Sequence, residues 1–320
     1  MRILQNANFP FVQSRYIVYV IAGILLLASI IGIIAFGLNW STDFTGGVSA
    51  VINMQPKEGN VAPLDIDELR KVINTGGFEE AEIQYIGDRQ DATFQIKVKG
   101  SDANATKNKL IEVISSQLPQ YTQGRDLQKE VLSEVSMVGA KAGSQMRTNV
   151  VIAVVIALIL MIIYIWIRFE FTFGLMAIVA LFFNVVVVVG VFAFTRKEIT
   201  MQIIAALLTI VGYAINDTIV VFDRIREDLK LYRKDSVHVI FNRAMNSTLS
   251  RTIITGGSTL LTALALYFFG GPVIHDFALA IFLGIVIGTL SSIFIASNLV
   301  LDAIKTTHQE KQSIKKLTKK

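Results

Sequence analysis

Asp217 lies in Gly212-Tyr213-Ala214-Ile215-Asn216-Asp217-Thr218-Ile219-Val220-Val221-Phe222-Asp223-Arg224, inside an apolar run from about Met201 to Phe222. At 1.5 Å of helical rise per residue its carboxylate sits roughly 8 Å inside the Phe222 end, a depth that in a membrane-spanning helix is hydrocarbon. A charge there costs about 2.5–3.5 kcal/mol even on a lenient insertion scale, so such groups face a bundle interior and mark proton or ion pathways. Burial penalises the charged form, so the chemistry offered is uptake and release of a proton. The competing reading is a structural contact, with Asp217 protonated or amide-paired and Asn216 as its helper.

Arg251 is the natural counter-charge. It falls one turn inside a later apolar run that begins near Ser247, on a face rich in small and hydroxyl residues: Thr252, Thr255, Gly256, Gly257, Ser258, Thr259 and Thr262. An ion pair between Asp217 and Arg251 would lower the insertion penalty of both. Protonation of Asp217 would break that pair, giving two helix arrangements that an ion gradient could bias. The alternative for Arg251 is an ordinary basic anchor at the membrane surface. Past Phe222, Asp223 and Glu227 repel at i,i+4 while Arg224 and Asp228 attract, and with Arg226 they read as a solvated helix face. A second unusual stretch, Asp43-Phe44-Thr45-Gly46-Gly47, reads as a tight turn at the bilayer surface with a strand starting at Val48.

The bulk of the chain supplies the membrane that this chemistry requires. Of 320 residues 52% are hydrophobic and 17% charged, and mean hydropathy is +0.55, the balance of an integral membrane protein. There are no cysteines, which excludes disulfides and thiolate metal sites. The three histidines, His238, His275 and His308, lack ligand spacing. Walker loops, nucleophile elbows and dinucleotide fingerprints are missing from the sequence, so no ATP site, cofactor site or enzymatic activity is expected. The net charge of +5 is read as an orientation signal, not a nucleic-acid footprint.

A tail carrying Arg2 and Arg15 precedes the first apolar run, Tyr16 to Phe36, which reads as a retained anchor, so residues 1–37 form the tail and first span. Residues 38–148 form an α+β domain in which strand, helix, strand, strand, helix and strand signals follow one another, the order of a ferredoxin-like unit. The last of these, Leu127 to Val138, is compatible with strand or helix. Residues 149–304 hold five more runs of spanning length, about 149–167, 173–194, 201–222, 247–269 and 273–301. With six spans both termini share a side. That side carries sixteen Lys and Arg, against Arg196 and Lys197 in the opposite short loops plus Lys141 and Arg147 beside the second span. The termini are therefore expected in the cytoplasm and the α+β domain outside it. Val237, Ile240, Phe241, Ala244 and Met245 predict an amphipathic helix lying along the cytoplasmic interface. Ala280, Gly284, Gly288, Ser292 and Ala296 form a small-residue stripe that predicts close helix packing. Residues 305–320 form a Lys-rich tail suited to anionic lipid headgroups.

Three blocks, Asn39 to Gly47, Gly212 to Glu227, and Leu249 to Thr255 followed by Phe269-Gly270-Gly271, resemble the signature blocks of the SecF family. These are membrane subunits of the bacterial SecDF translocation accessory complex, related to the resistance-nodulation-division transporters. The resemblance spans nearly the whole chain. It implies a six-helix half of a twelve-helix unit completed by SecD, seated in the bacterial inner membrane and driven by the proton motive force. It implies preprotein clients and the SecYEG channel as partners, extending to YajC and a membrane insertase. It also assigns Asp217 and Arg251 to a proton pathway, to which Asn216 is added as the neighbour of Asp217, and leaves the Asp43, Phe44, Gly46, Gly47 block with Gly212, Asp223 and Arg224 as motif and coupling positions. The chain departs from the family at Gly256-Gly257-Ser258, where bulkier or hydroxyl residues are expected. A passive membrane scaffold, and a small-molecule efflux half-transporter with an undersized outer domain, are the competing functions.

Overall fold

The computed structural model describes residues 8–56 and 62–304; Arg2 and the predicted basic tail lie outside them. Helix α1 (Arg15–Phe36) leads into a two-residue strand β1 (Asn39–Trp40) and a single turn α2 (Thr42–Thr45). The α+β domain follows: β2 (Gly47–Asn53), α3 (Ile66–Thr75), β3 (Glu82–Tyr85), β4 (Thr93–Lys99), α4 (Ala103–Gln117), the short α5 (Pro119–Thr122) and β5 (Leu132–Val138). Asp65 starts α3 by accepting a hydrogen bond from the Asp67 amide, 3.2 Å, as a short polar side chain at that position should. The four strands pair antiparallel in the order β3-β4-β2-β5, the ferredoxin-like arrangement expected. Strand alternation sends Val48, Ala50, Ile52, Phe94, Ile96 and Val98 into a core under α3 and α4 and leaves the opposite sheet face polar. The ambiguous 127–138 stretch is both: a π-helical turn Leu127–Val131, then β5.

The remaining helices are α6 (Ala140–Arg168), α7 (Phe171–Thr195), α8 (Met201–Leu231), α9 (Val237–Phe269) and α10 (Pro272–Ser291), with strand β6 (Glu198–Ile199) between α7 and α8. Beyond α10 a π turn, Ser292–Ala296, carries the last span on to Ile304. Six helices among the described residues are long and apolar enough to cross a membrane, α1 and α6 through α10 with its continuation. β6 pairs in parallel with β1, Asn39 opposite Glu198 and Trp40 opposite Ile199, which ties the exit of α1 to the entry of α8.

Small residues set the helix spacing. The stripe on the last span packs within the chain: a Cβ built on Gly284 would fall 2.3 Å from Ile210, and one on Gly288 3.1 Å from Ala214, both on α8. One expectation is corrected. The segment from Val237 to Asn246 is not a separate membrane-parallel helix but the first turns of α9, unbroken to Phe269. Ile240, Phe241, Ala244 and Met245 are buried against Val221, Phe222 and Ile225 of α8, so its apolar face covers the lower end of α8 instead of lipid. Side chains on its other flank hold the N-terminal segment: Asn246 accepts from the Phe9 amide, 2.8 Å, and donates to the Phe9 carbonyl, 3.0 Å.

Candidate functional site

Asp217 is 5% exposed and faces the interior of the bundle. Helices α8 and α9 run antiparallel, and Asp217 and Arg251 each lie fourteen residues from the connection between them, Leu231 and Val237 being its edges. At 1.5 Å per residue that is about 21 Å on both helices, so the two charges sit at one depth. The Arg251 guanidinium attracts the carboxylate across this gap, yet among the described residues the two form no ion pair within 4 Å. The direct pair expected from sequence is therefore an attraction at longer range, because Arg251 is exposed on the flank of α9 while Asp217 points inward.

The immediate surroundings of Asp217 are polar groups without hydrogen bonds of standard geometry. Asp217 Oδ2 and the Tyr213 and Thr289 hydroxyls are buried with no hydrogen bond of standard geometry, and so is Asn184 Oδ1, whose side chain lies beside Gly288. They come from three helices. A Cβ built on Gly256 of α9 would lie 3.3 Å from Thr289 Oγ1 and 3.6 Å from the Tyr213 oxygen, and one on Gly288 would lie 3.7 Å from Asn184 Nδ2. The Thr289 hydroxyl is also close enough to interact with the Asp217 carboxyl. A buried polar atom left without a partner costs about 1–3 kcal/mol, so carboxyl and hydroxyl groups gathered in an apolar bundle interior need a use beyond packing, and proton exchange is one such use. Sequence reasoning missed Asn184, Tyr213 and Thr289. Tyr213 at i−4 from Asp217 was the available signal; the other two are lone polar residues in apolar runs.

The flank beside this site is open. On α8 the exposed positions Ala205, Thr209, Gly212 and Asn216 follow helical spacing, and Gly212 has nothing within 4 Å of a built Cβ. Asn216 thus turns away from Asp217. On the adjacent α9, Arg251, Ser258 and Thr262 are exposed and Thr255 half-buried. The Gly256-Gly257-Ser258 departure falls here: Gly256 is buried against α8 and α10 while Gly257 meets nothing. Polar and small residues on spanning helices favour another helix or water over lipid.

The Asp43 to Gly47 block is more than a turn. Phe44 is buried, edge-on to Trp40 at 5.3 Å between ring centres. Gly46 has φ +84°, and a Cβ there would lie 2.6 Å from the Ala140 Cα at the start of α6; Gly47 has φ +146°, and a Cβ there would lie 2.1 Å from the Val98 carbonyl oxygen. Only glycine fits either position. Asp43 Oδ2 accepts from Ser41 Oγ, 3.1 Å, and from the Met201 amide, 3.5 Å, placing a carboxylate at the positive end of the α8 dipole. The block therefore joins α1, β2, α6 and the helix that carries Asp217. At the far end of α8 the charges are paired, not simply solvated: Asp223 with Arg168 of α6, and Arg224 with Glu227 and the fully buried Asp228, both at 3.1 Å.

Residues 120–306 match the family model described as Protein export membrane protein SecD/SecF, C-terminal. The protein translocase subunit SecF of Rhodothermus marinus is 39% identical over 308 residues, covering 94% of this chain and 95% of that protein. The Escherichia coli O157:H7 subunit of the same name is 33% identical, covering 96% and 92%. The crystal structure of SecDF, a translocon-associated membrane protein from Thermus thermophilus, superposes with a TM-score of 0.78 at 36% identity over 95% of this chain. A second SecDF structure, in a super-membrane-facing form, gives 0.71 at 35% identity. The chain spans 40% of the length of each SecDF chain. By the family match and by identity over nearly the full length of these relatives, the chain belongs to the SecD/SecF family of protein export membrane proteins.

Proposed function

We propose that this chain is the SecF half of a proton-driven accessory translocase in the bacterial inner membrane, completed by SecD and assisting preprotein export through the SecYEG channel. The observation that carries this reading is Asp217: an acid buried mid-bundle beside the Tyr213 and Thr289 hydroxyls, next to a flank of α8 and α9 that exposes Gly212, Asn216, Arg251, Ser258 and Thr262 alongside Ile254 and Leu261. SecD is the partner that would cover that flank, with Gly212, Asn216 and Arg251 at the seam. Proton uptake at Asp217 weakens its attraction to Arg251 and shifts α8 against α9 and α10. The shift travels along α8 to Met201, where Asp43 sits, and through the glycine-packed block to the α+β domain, which acts on the emerging polypeptide outside the cytoplasm. The termini, including the basic tail, lie on the cytoplasmic side, where anionic lipid would meet it.

The test is preprotein completion into inverted membrane vesicles with SecD present, comparing wild type with Asp217→Asn at equal assembled amounts, with and without a proton gradient. The increment that the gradient adds should disappear in the variant. A variant that keeps the whole increment would make Asp217 a structural residue and leave a passive scaffold as the better reading.

A further inference from the structure

Outside the Asp43 block, the α+β domain and the bundle share a second tie. Lys97 projects from β4 on the sheet face opposite the core, and its Nζ lies 3.0 Å from Glu198 Oε2 and 3.4 Å from Glu82 Oε2. The side chains of Lys97 and Glu198 are 17% and 7% exposed. Glu198 belongs to β6, two residues before Thr200, whose hydroxyl caps α8. A lysine of the domain is thus held by a glutamate of the bundle, 101 positions away, at the entry of the helix that carries Asp217. Lys99 reinforces the contact by donating to Asn39, 2.8 Å, the residue paired with Glu198 across β1 and β6.

The space around the trio is a cavity of about 270 Å³ between the sheet and the helix ends, lined largely by polar side chains. The charged groups that face it are Asp43 from α2, Glu134 from β5, and Asp276 from α10, which pairs with Lys197 and lies 3.3 Å from His275. Interfaces of this kind, polar and unsealed, let two bodies move against each other and leave the specific ties to decide what is transmitted. Within the trio, burial and then the neighbouring Glu82 push the Glu198 carboxyl up to about 8, against the pull of Lys97. For Lys97, burial works to lower its proton affinity, but Glu198 and Glu82 together outweigh it and raise it.

We propose that Lys97 and Glu198 are positioning residues of the coupling step: they clamp the sheet of the α+β domain to the lead-in of α8, so that displacement of α8 reaches the domain. The inference rests on the proton-coupled reading above for its functional arm and on geometry for its structural one.

The full chain assembled with SecD is compared as wild type, Lys97→Glu, Glu198→Lys and the double exchange, which keeps two carboxyl groups and one ammonium in the trio. Each single change should cut the gradient-dependent increment of preprotein completion by about fivefold or more while leaving gradient-independent completion within about twofold, and the double exchange should recover at least about half of the increment. Single variants that keep the increment overturn the proposal, as does a double exchange that assembles yet stays as low as the singles. Since the chain has no cysteine, Lys97→Cys with Glu198→Cys provides a second arm. Bridging the two with a short bis-maleimide should restore the increment lost in the unbridged pair; failure of a fully bridged protein to recover it counts against the clamp. If wild type itself shows no increment, the proton-coupled reading fails, and cross-linking yield in native membranes still judges the joint: efficient bridging supports it and none refutes it.

Discussion

Replacing Gly47 by alanine is the sharpest probe of the junction between the α+β domain and the bundle. The residue has φ +146°, a conformation that an L side chain adopts at a cost of about 1–3 kcal/mol. Its Cβ would fall 2.1 Å from the Val98 carbonyl oxygen and 3.0 Å from the Lys99 Cα, so β2 and β4 would have to part by about 0.9 Å at the Gly47–Lys99 end of their ladder. Backbone offers little give, and overpacking of this kind costs about 1–3 kcal/mol more. Together the penalty is about 2–6 kcal/mol, a large part of the 5–15 kcal/mol that holds a typical domain. At roughly 2–4 °C per kcal/mol, the thermal midpoint of the purified full chain in detergent should fall by at least about 4 °C. Gly257→Ala is the control: nothing lies within 4 Å of its Cβ, and alanine in a helix is better than glycine by about 1 kcal/mol, so its midpoint should hold or rise. A Gly47→Ala chain that melts within about 1 °C of wild type would refute the reasoning.

Two further outcomes follow from the same geometry. Gly212→Leu puts a bulky side chain on the open flank of α8, so the isolated chain should keep its thermal midpoint within about 2 °C while co-purification with SecD drops about tenfold; undiminished co-purification would remove that flank from the seam. The Glu198 carboxyl, whose proton affinity is raised in the docked state, makes docking proton-linked. Its contribution is fully present below the ordinary carboxylate range, near 4.5, and is lost as pH rises through about 8. Hydrogen exchange at the Ser41 amide, bonded to the Ile199 carbonyl at 3.1 Å, should therefore lose protection, after correction for intrinsic rate, between pH 6 and 8.5, and Glu198→Gln should flatten the dependence. Equal slopes in the two proteins would contradict it.

What the sequence made legible is what periodicity and hydrophobic length encode. The six spans, the strand and helix order of the α+β domain and the close packing of the Ala280 to Ala296 stripe all follow from patterns within one element. Asp217 stood out because an acid in an apolar run is costly wherever its side chain points. The missed features need two elements at once. Lys97 reads as any outward residue of an alternating strand until Glu198 arrives from another part of the chain. The Asp43 contact with the Met201 amide, and the approach of Thr289 to Asp217, depend on how helices are rotated about their axes, which apolar runs hydrophobic on all sides do not specify. The start of α9 was misplaced for a related reason: an apolar face at helical spacing looks the same whether it meets lipid or α8.

The central claim is that Asp217 binds and releases the proton that drives the cycle. Its most direct test is proton flux through SecD–SecF proteoliposomes loaded with a pH-sensitive dye, under an imposed gradient, for wild type and Asp217→Asn at equal incorporation. Flux in wild type that vanishes in Asp217→Asn, with Asp223→Asn retaining it, is the predicted result. Flux that persists undiminished through Asp217→Asn would contradict the account.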